Sequence, residues 1–525
     1  MVVLGDQSDN TIAIGRTASG DLLVNNGAVQ IFGNRRSFSS SSKIQVFGFA
    51  GNDTISVDET NGPVQAVQMF GGLGNDILKG GAGADYFAGG EGNDFVDGNG
   101  GNDTAFLGAG DDTFQWDPGD GSDRVEGEAG LDLMIFNGSA GDESFDLSAN
   151  GDRLRFFRNL GNIVMDTNDI ERVDLNALGG SDTITFNNLA ATDVKDFRLN
   201  LGADGKQDSL IVNGTDNAET IDVTGTGSSF SIAGLFTGIT VTGSESIDRL
   251  TLNALGGDDV IQASTLPAVT VQFTADGGAG DDKIFGGLGN DILFGGIGKD
   301  LIDGNRGDDT AFLGEGNDIF QWDPGDGSDL VEGGAGLDTM LFNGANVSEV
   351  FDVSANGQRV RFFRNVANIT MDMDGIEQLD LNALGGIDTI TINDLTGTAL
   401  KQLNLNLGSD GQGDRVIING TNGDDVIQVA NATNGVDILG LFATVAISGA
   451  DPTDTLVVSG LAGDDVLVAT TLLPNKISVV FQGDAGDDVL NGGEGNDVLD
   501  GGAGDDVLVG GPGQDILLNG EVNVQ

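Results

Sequence analysis

The sequence predicts an all-β chain, one right-handed parallel β-solenoid of short stacked strands joined by tight turns. Three observations carry that expectation. Glycine and aspartate hold fixed places in a nine-residue frame, as in GGLGNDILK from Gly71 to Lys79. The frame comes in blocks that recur at a spacing of 206 residues, with Trp116 matched by Trp322 and Phe157 by Phe363. No stretch has helical periodicity, whereas runs such as DSLIVNG and RLTLNAL alternate apolar and polar residues as half-buried strands do. Self-similarity at a fixed period marks a repeat architecture before any other feature is considered.

The frame reads G-G-x-G-x-D-x-U-x, with U a large apolar residue. Its x-U-x part is too short for an isolated strand but can form a ladder when stacked on its copies. Each U side chain then fills a thin interior. The G-G-x-G-x-D part is the turn, where glycine lets the backbone reach positive φ and aim several carbonyls to one side. Two frames make one coil of 18 residues, so turns stack along both edges. Asp76 is then expected to pair with Asp94, and Asp85 with Asp103.

Three arrays of this frame set the domain plan. Residues 1–205 form a first unit with an array at 71–135, and residues 206–411 a second with an array at 277–341. Residues 412–525 form a partial third, with an array at 483–518. In the first array Trp116 and Asp117 interrupt the frame, and Ala105 takes one apolar position. Between arrays the motif degrades without vanishing. VFGFAGNDTISV (46–57), LNALGGSDTITF (175–186), LNALGGDDVIQA (252–263), LNALGGIDTITI (381–392) and VSGLAGDDVLVA (458–469) keep its shape. These segments are expected to form metal-poor coils.

Charge decides what the turns hold. The chain has 82 acidic against 23 basic residues, a net charge of −59. That much anion repels itself in a compact state unless cations neutralise it. Disorder is the other escape, but 38% hydrophobic content with 28 Phe argues for a packed core. Nucleic acid needs a basic surface, so it is excluded as a partner. There is no histidine and no cysteine, which leaves carboxylates and carbonyls as ligands. Oxygen-only sites in a wide, adaptable turn suit several calcium ions; magnesium requires a stricter octahedron.

The expected carboxylate ligands are the sixth residues of the frames. In the first array they are Asp76, Asp85, Asp94, Asp103, Asp112, Asp123 and Asp132. In the second they are Asp282, Asp291, Asp300, Asp309, Asp318, Asp329 and Asp338, and in the third Asp488, Asp497, Asp506 and Asp515. The first glycines Gly71, Gly80, Gly89, Gly277, Gly286, Gly295, Gly492 and Gly501 are expected to contribute through their backbone.

These frames resemble the RTX family of hemolysin-type calcium-binding repeats. The resemblance implies a parallel β-roll that folds on calcium, in secreted proteins exported by type I systems without a cleavable N-terminal leader. The start, MVVLGDQSDN, has no basic and apolar leader pattern, and no apolar run of membrane-spanning length occurs. Residues 136–276 resemble the flanking modules of large surface proteins that contain such repeats.

Other features have blander readings. Asp111-Asp112, Asp281-Asp282 and Asp487-Asp488 could be acid/base dyads, but they fall at frame positions five and six. RLRFFRN (153–159) and RVRFFRN (359–365) could take an acidic glycan; neutralising neighbouring carboxylates is the better account. Trp116 and Trp322 could stack on a sugar, or cover the interrupted coil. SFSSSSK (37–43) reads as a surface loop. No Ser-His-Asp or Cys-His set is possible, so the chain is expected not to be an enzyme. The function expected is a secreted, calcium-dependent structural protein of a surface layer, fibre or matrix, able to self-associate head to tail. An adhesin for a cell-surface glycan and the calcium-binding tail of a secreted enzyme are the alternatives.

Overall fold

A computed structural model describes residues 1–27, 37 and 43–524. Residues 38–42 of the serine run lie outside the described residues. The chain divides into two compact units, one of residues 1–255 and 265–274, the other of 256–264 and 275–525. Strands dominate both.

In the first unit, Ile44–Ala50, Val67–Leu73, Tyr86–Glu91, Thr104–Ala109 and Arg124–Ala129 stack as one parallel ladder. Thr54–Asp58, Ile77–Lys79, Phe95–Asp97, Thr113–Trp116, Leu133–Asn137 and Arg172–Asn176 form the other. The register sets Tyr86 opposite Thr104 and Ile77 opposite Phe95, one 18-residue coil apart. The second unit repeats the plan. Ile292–Gly298, Thr310–Gly316 and Leu330–Gly336 stack on one side. Lys283–Phe285, Leu301–Asp303, Ile319–Trp322 and Thr339–Asn343 stack on the other. This is the expected parallel β-solenoid of the β-roll kind.

The U positions form the interior. Leu78, Phe87, Val96, Ala105, Phe114, Val125 and Met134 are fully buried, and so are Ile284, Leu293, Ile302, Ala311, Phe320, Val331 and Met340. Ala105 and Ala311 fill the same place with less volume. Trp116 and Trp322 are buried too, stacked on Phe136 and Phe342 with ring centroids 4.0 Å apart. Each indole N–H donates to a turn carbonyl, Gly121 O at 2.8 Å and Gly327 O at 2.9 Å. The tryptophans therefore fill the coil that two extra residues enlarge, and present no face to a sugar.

The intervening segments depart from a purely parallel plan. Ser144–Asn150, Arg153–Arg158 and Ile163–Asn168 form an antiparallel meander, and Val350–Asn356, Arg359–Arg364 and Ile369–Asp374 form its copy. The cause is local. Gly151 and Gly357, at φ +71° and +70°, make two-residue reversals that suit the twist of antiparallel strands. Alternation in RLRFFR fixes which side chains face inward but not the direction of the partner strand.

Replacing Trp322 by Ala should cost about 3–5 kcal/mol, because nothing else fills the enlarged coil. Urea denaturation in saturating calcium, followed by circular dichroism, checks this. The midpoint should fall clearly below wild type, while Leu73→Ala, at a side chain 51% exposed, should leave it almost unchanged.

Candidate calcium sites

Each array turn is closed by its aspartate. Asp76 N–H donates to Asp94 Oδ1 at 2.7 Å, Asp94 N–H to Asp112 Oδ1 at 2.6 Å, and Asp112 N–H to Asp132 Oδ1 at 2.9 Å. Along the opposite edge Asp85 donates to Asp103 and Asp103 to Asp123, at 2.6 and 2.8 Å. The second array repeats both rows: Asp282, Asp300, Asp318 and Asp338 in one, Asp291, Asp309 and Asp329 in the other. In the third, Asp488 pairs with Asp506 and Asp497 with Asp515. The expected pairs 18 residues apart are therefore brought together, with a spacing of 20 across the tryptophan insertion. Every one of these aspartates is buried except Asp515, which is half-buried.

The second carboxylate oxygen carries the chemistry. Oδ2 of Asp76, Asp94, Asp103, Asp112, Asp123 and Asp132 is buried with no hydrogen-bond donor. The same holds for Asp282, Asp300, Asp309, Asp318, Asp338, Asp488, Asp497 and Asp506. Where the turn opens on glycine, this oxygen lies against that glycine and, in most turns, a carbonyl of the next coil; Leu107, Pro118 and Leu313 open the turns of Asp112, Asp123 and Asp318. A methyl group on Gly71 would sit 2.2 Å from Asp76 Oδ2 and 2.6 Å from Gly89 O. On Gly89 it would meet Asp94 Oδ2 and Leu107 O, and on Gly80 Asp85 Oδ2 and Gly98 O. Gly277, Gly286, Gly295 and Gly501 repeat the arrangement against Asp282, Asp291, Asp300 and Asp506, each with a carbonyl from the following coil. Gly492 has Asp497 Oδ2 at 2.6 Å. Carboxylate and carbonyl oxygens that converge away from water, with no proton donor between them, favour a cation.

Asp85 and Asp291 differ by a further bond. Asp85 Oδ2 accepts the Gly81 N–H at 2.8 Å, and Asp291 Oδ2 accepts the Gly287 N–H. Glycine at the second frame position has a separate cause: Gly90 has φ +127°, and a Cβ there would lie 2.0 Å from Gly72 O.

The ladder reaches beyond the expected residues. Glutamates extend it, with Asp132 donating to Glu171, Asp338 to Glu377 and Asp506 to Glu521. In the intervening coils Glu143, Asp182, Asp208 and Asp248 form a row of the same kind, and Glu349, Asp388, Asp414 and Asp454 its copy. The glutamates are hard to read in the sequence because no nine-residue phase marks them.

The side features resolve by burial. Asp111, Asp281 and Asp487 are exposed while their neighbours Asp112, Asp282 and Asp488 are buried, so no adjacent pair forms a dyad. The arginines neutralise carboxylates. Arg158 and Arg364 are buried against Glu143 and Glu349. Arg153 pairs with Glu126 at 2.9 Å and Asp166 at 2.5 Å, and Arg155 with Asp146 at 3.0 Å.

Burial raises the proton affinity of the stack. It pushes Asp94, Asp300 and Asp497 up to about 7, and Asp103 and Asp309 up to about 9; neighbouring aspartate charges add to the rise, and backbone N–H groups oppose it in all but Asp497. A carboxyl whose folded value is raised stabilises the fold below its ordinary value of 3.8 and loses that contribution as pH climbs through the folded value. Calcium binds the ionised form and releases those protons. In chelator, the folded fraction should fall as pH rises from about 4 to about 8. In millimolar calcium it should hold or rise across the same window, and calcium affinity should weaken below neutrality. Circular dichroism against pH, with and without calcium, checks this; a metal-free fold that gains stability across the window contradicts it.

Among the described residues no helix is long and apolar enough to cross a membrane. No curated protein matches the chain. The model of the RTX calcium-binding nonapeptide repeat matches residues 68–96, 80–114, 274–302, 289–320, 325–346 and 482–517. The chain thus carries RTX calcium-binding nonapeptide repeats in three arrays, and repeats of this family bind multiple calcium ions.

Proposed function

We propose that this is a non-catalytic, calcium-dependent structural protein of an extracellular surface layer, fibre or matrix. The observation that carries the reading is the stack of buried carboxylates with bare second oxygens. Such a stack is unfavourable in a metal-free chain and favourable where calcium is abundant. Extracellular calcium modules work at about 10⁻⁴–10⁻³ M, which suits folding after export by a type I route. The basic side chains support a scaffold rather than a glycan site, because the arginines of both RFFR strands are already held by carboxylates.

Strand edges support self-association. Val2–Leu4 pairs with Ile44–Ala50, and Ile516–Leu518 with Val498–Asp500. Val2 and Leu4 are 58% and 61% exposed, and Ile516 and Val522 are 54% and 51% exposed. Exposed apolar side chains on these strands favour contacts with a second copy, and contacts of the head-to-tail kind build open assemblies. Light scattering and electron microscopy during calcium titration should show filaments or sheets growing with calcium. A chain that stays monomeric at high concentration in saturating calcium overturns the assembly reading.

A further inference from the structure

We infer that two turns outside the matched repeats, Gly48–Asp53 and Gly460–Asp465, are additional calcium sites that extend the first and third arrays by one coil each. Asp53 is 1% exposed and Asp465 fully buried. Asp53 Oδ1 accepts the Asn10 N–H at 2.7 Å, and Asp465 Oδ1 accepts the Asp425 N–H at 2.8 Å. In both, Oδ2 is buried with no donor. A methyl on Gly48 would lie 2.2 Å from Asp53 Oδ2 and 2.6 Å from Gly71 O, the same distances found at Gly71, Asp76 and Gly89. On Gly460 it would lie 2.1 Å from Asp465 Oδ2 and 3.0 Å from Gly483 O. Both turns feed directly into array turns, since Asp53 N–H donates to Asp76 Oδ1 and Asp465 N–H to Asp488 Oδ1.

These turns escape the nonapeptide pattern at its second position. Phe49 and Leu461 stand where the frame has glycine, yet hold φ +83° and +75°. The turn geometry survives the change, and the oxygens facing the first glycine are untouched. Asp182 and Asp388 provide the contrast. Their Oδ2 atoms are also bare, but the first position is Ala177 or Ala383 rather than glycine. Leu107, Pro118, Leu313 and Pro324 hold position one in four array turns, so glycine there is not a requirement; what Gly48 and Gly460 share with the array turns is a bare carboxylate oxygen facing glycine and a carbonyl of the next coil.

Calcium bound per chain, measured by equilibrium dialysis on the full-length protein, tests this. Asp53→Asn and Asp465→Asn should each lower the bound calcium by about one ion, and Asp222→Asn, at an exposed strand position, should not. Asparagine keeps the Oδ1 acceptor of the ladder, so the turn is retained. Circular dichroism in saturating calcium verifies that each variant folds. Unchanged stoichiometry in the Asp53 and Asp465 variants overturns the inference. So does an equal loss in Asp222→Asn, because binding would then follow charge alone. The inference stands on calcium binding by the arrays and is independent of the assembly reading.

Discussion

Burying one carboxylate in every array turn, behind that of the neighbouring coil, is the constraint to which the rest of the chain answers. Each aspartate spends one oxygen on a backbone N–H of the preceding coil, which fixes the spacing of the stack. The other oxygen has no donor in most turns and lies beside the first glycine, often with a carbonyl of the next coil. A side chain at that glycine would close the space, and a side chain at the second would strike the coil beneath. Glycine content, acidic composition and coil length are therefore one requirement expressed three ways. The apolar position between turns is secondary, and Ala105 can stand where Phe87 stands without breaking the frame.

The chain neutralises these carboxylates by two routes. In the arrays the counter-charge comes from solution. In the meanders it is built in: the buried guanidinium of Arg158 meets Glu143, and Arg364 meets Glu349. Each arginine also lies over the tryptophan of the enlarged coil, 5.2 Å from its ring centroid. Removing one partner of such a buried pair typically costs 3–5 kcal/mol, roughly that of emptying a large core site. The meanders thus carry their own cation, and their cohesion does not vary with calcium as that of the arrays does.

Much of this was legible in the sequence, because strict phase survives translation into structure. The U positions and the aspartate rows follow from spacing alone; spacing left the tryptophans two roles, and their burial decides for filling the enlarged coil. What spacing could not show has physical reasons. Strand direction in RLRFFR depends on the reversal at Gly151 rather than on the strand's own alternation. Glu171, Glu377 and Glu521 join the ladder from irregular positions, where a longer side chain makes up for a displaced backbone. The turns of Asp53 and Asp465 read as metal-poor because a pattern weights every glycine alike. The structure separates a glycine needed for its φ from a glycine needed for the absence of a Cβ.

That separation bears on how such a chain can vary. A left-handed backbone at position two is carried by Phe49, Leu178, Leu384 and Leu461 as well as by glycine, at the cost of some strain. Position one is held by Leu107, Pro118, Leu313 and Pro324 in four array turns, whereas at the glycines found there a Cβ would meet a carboxylate and, in most turns, a carbonyl. Ala177 and Ala383 stand at the same place in the turns of Asp182 and Asp388, and the hydrogen-bonded stack continues through both. The carboxylate ladder thus continues past a side chain at position one in array and intervening coils alike. A solenoid can alternate the two kinds of coil without changing its register.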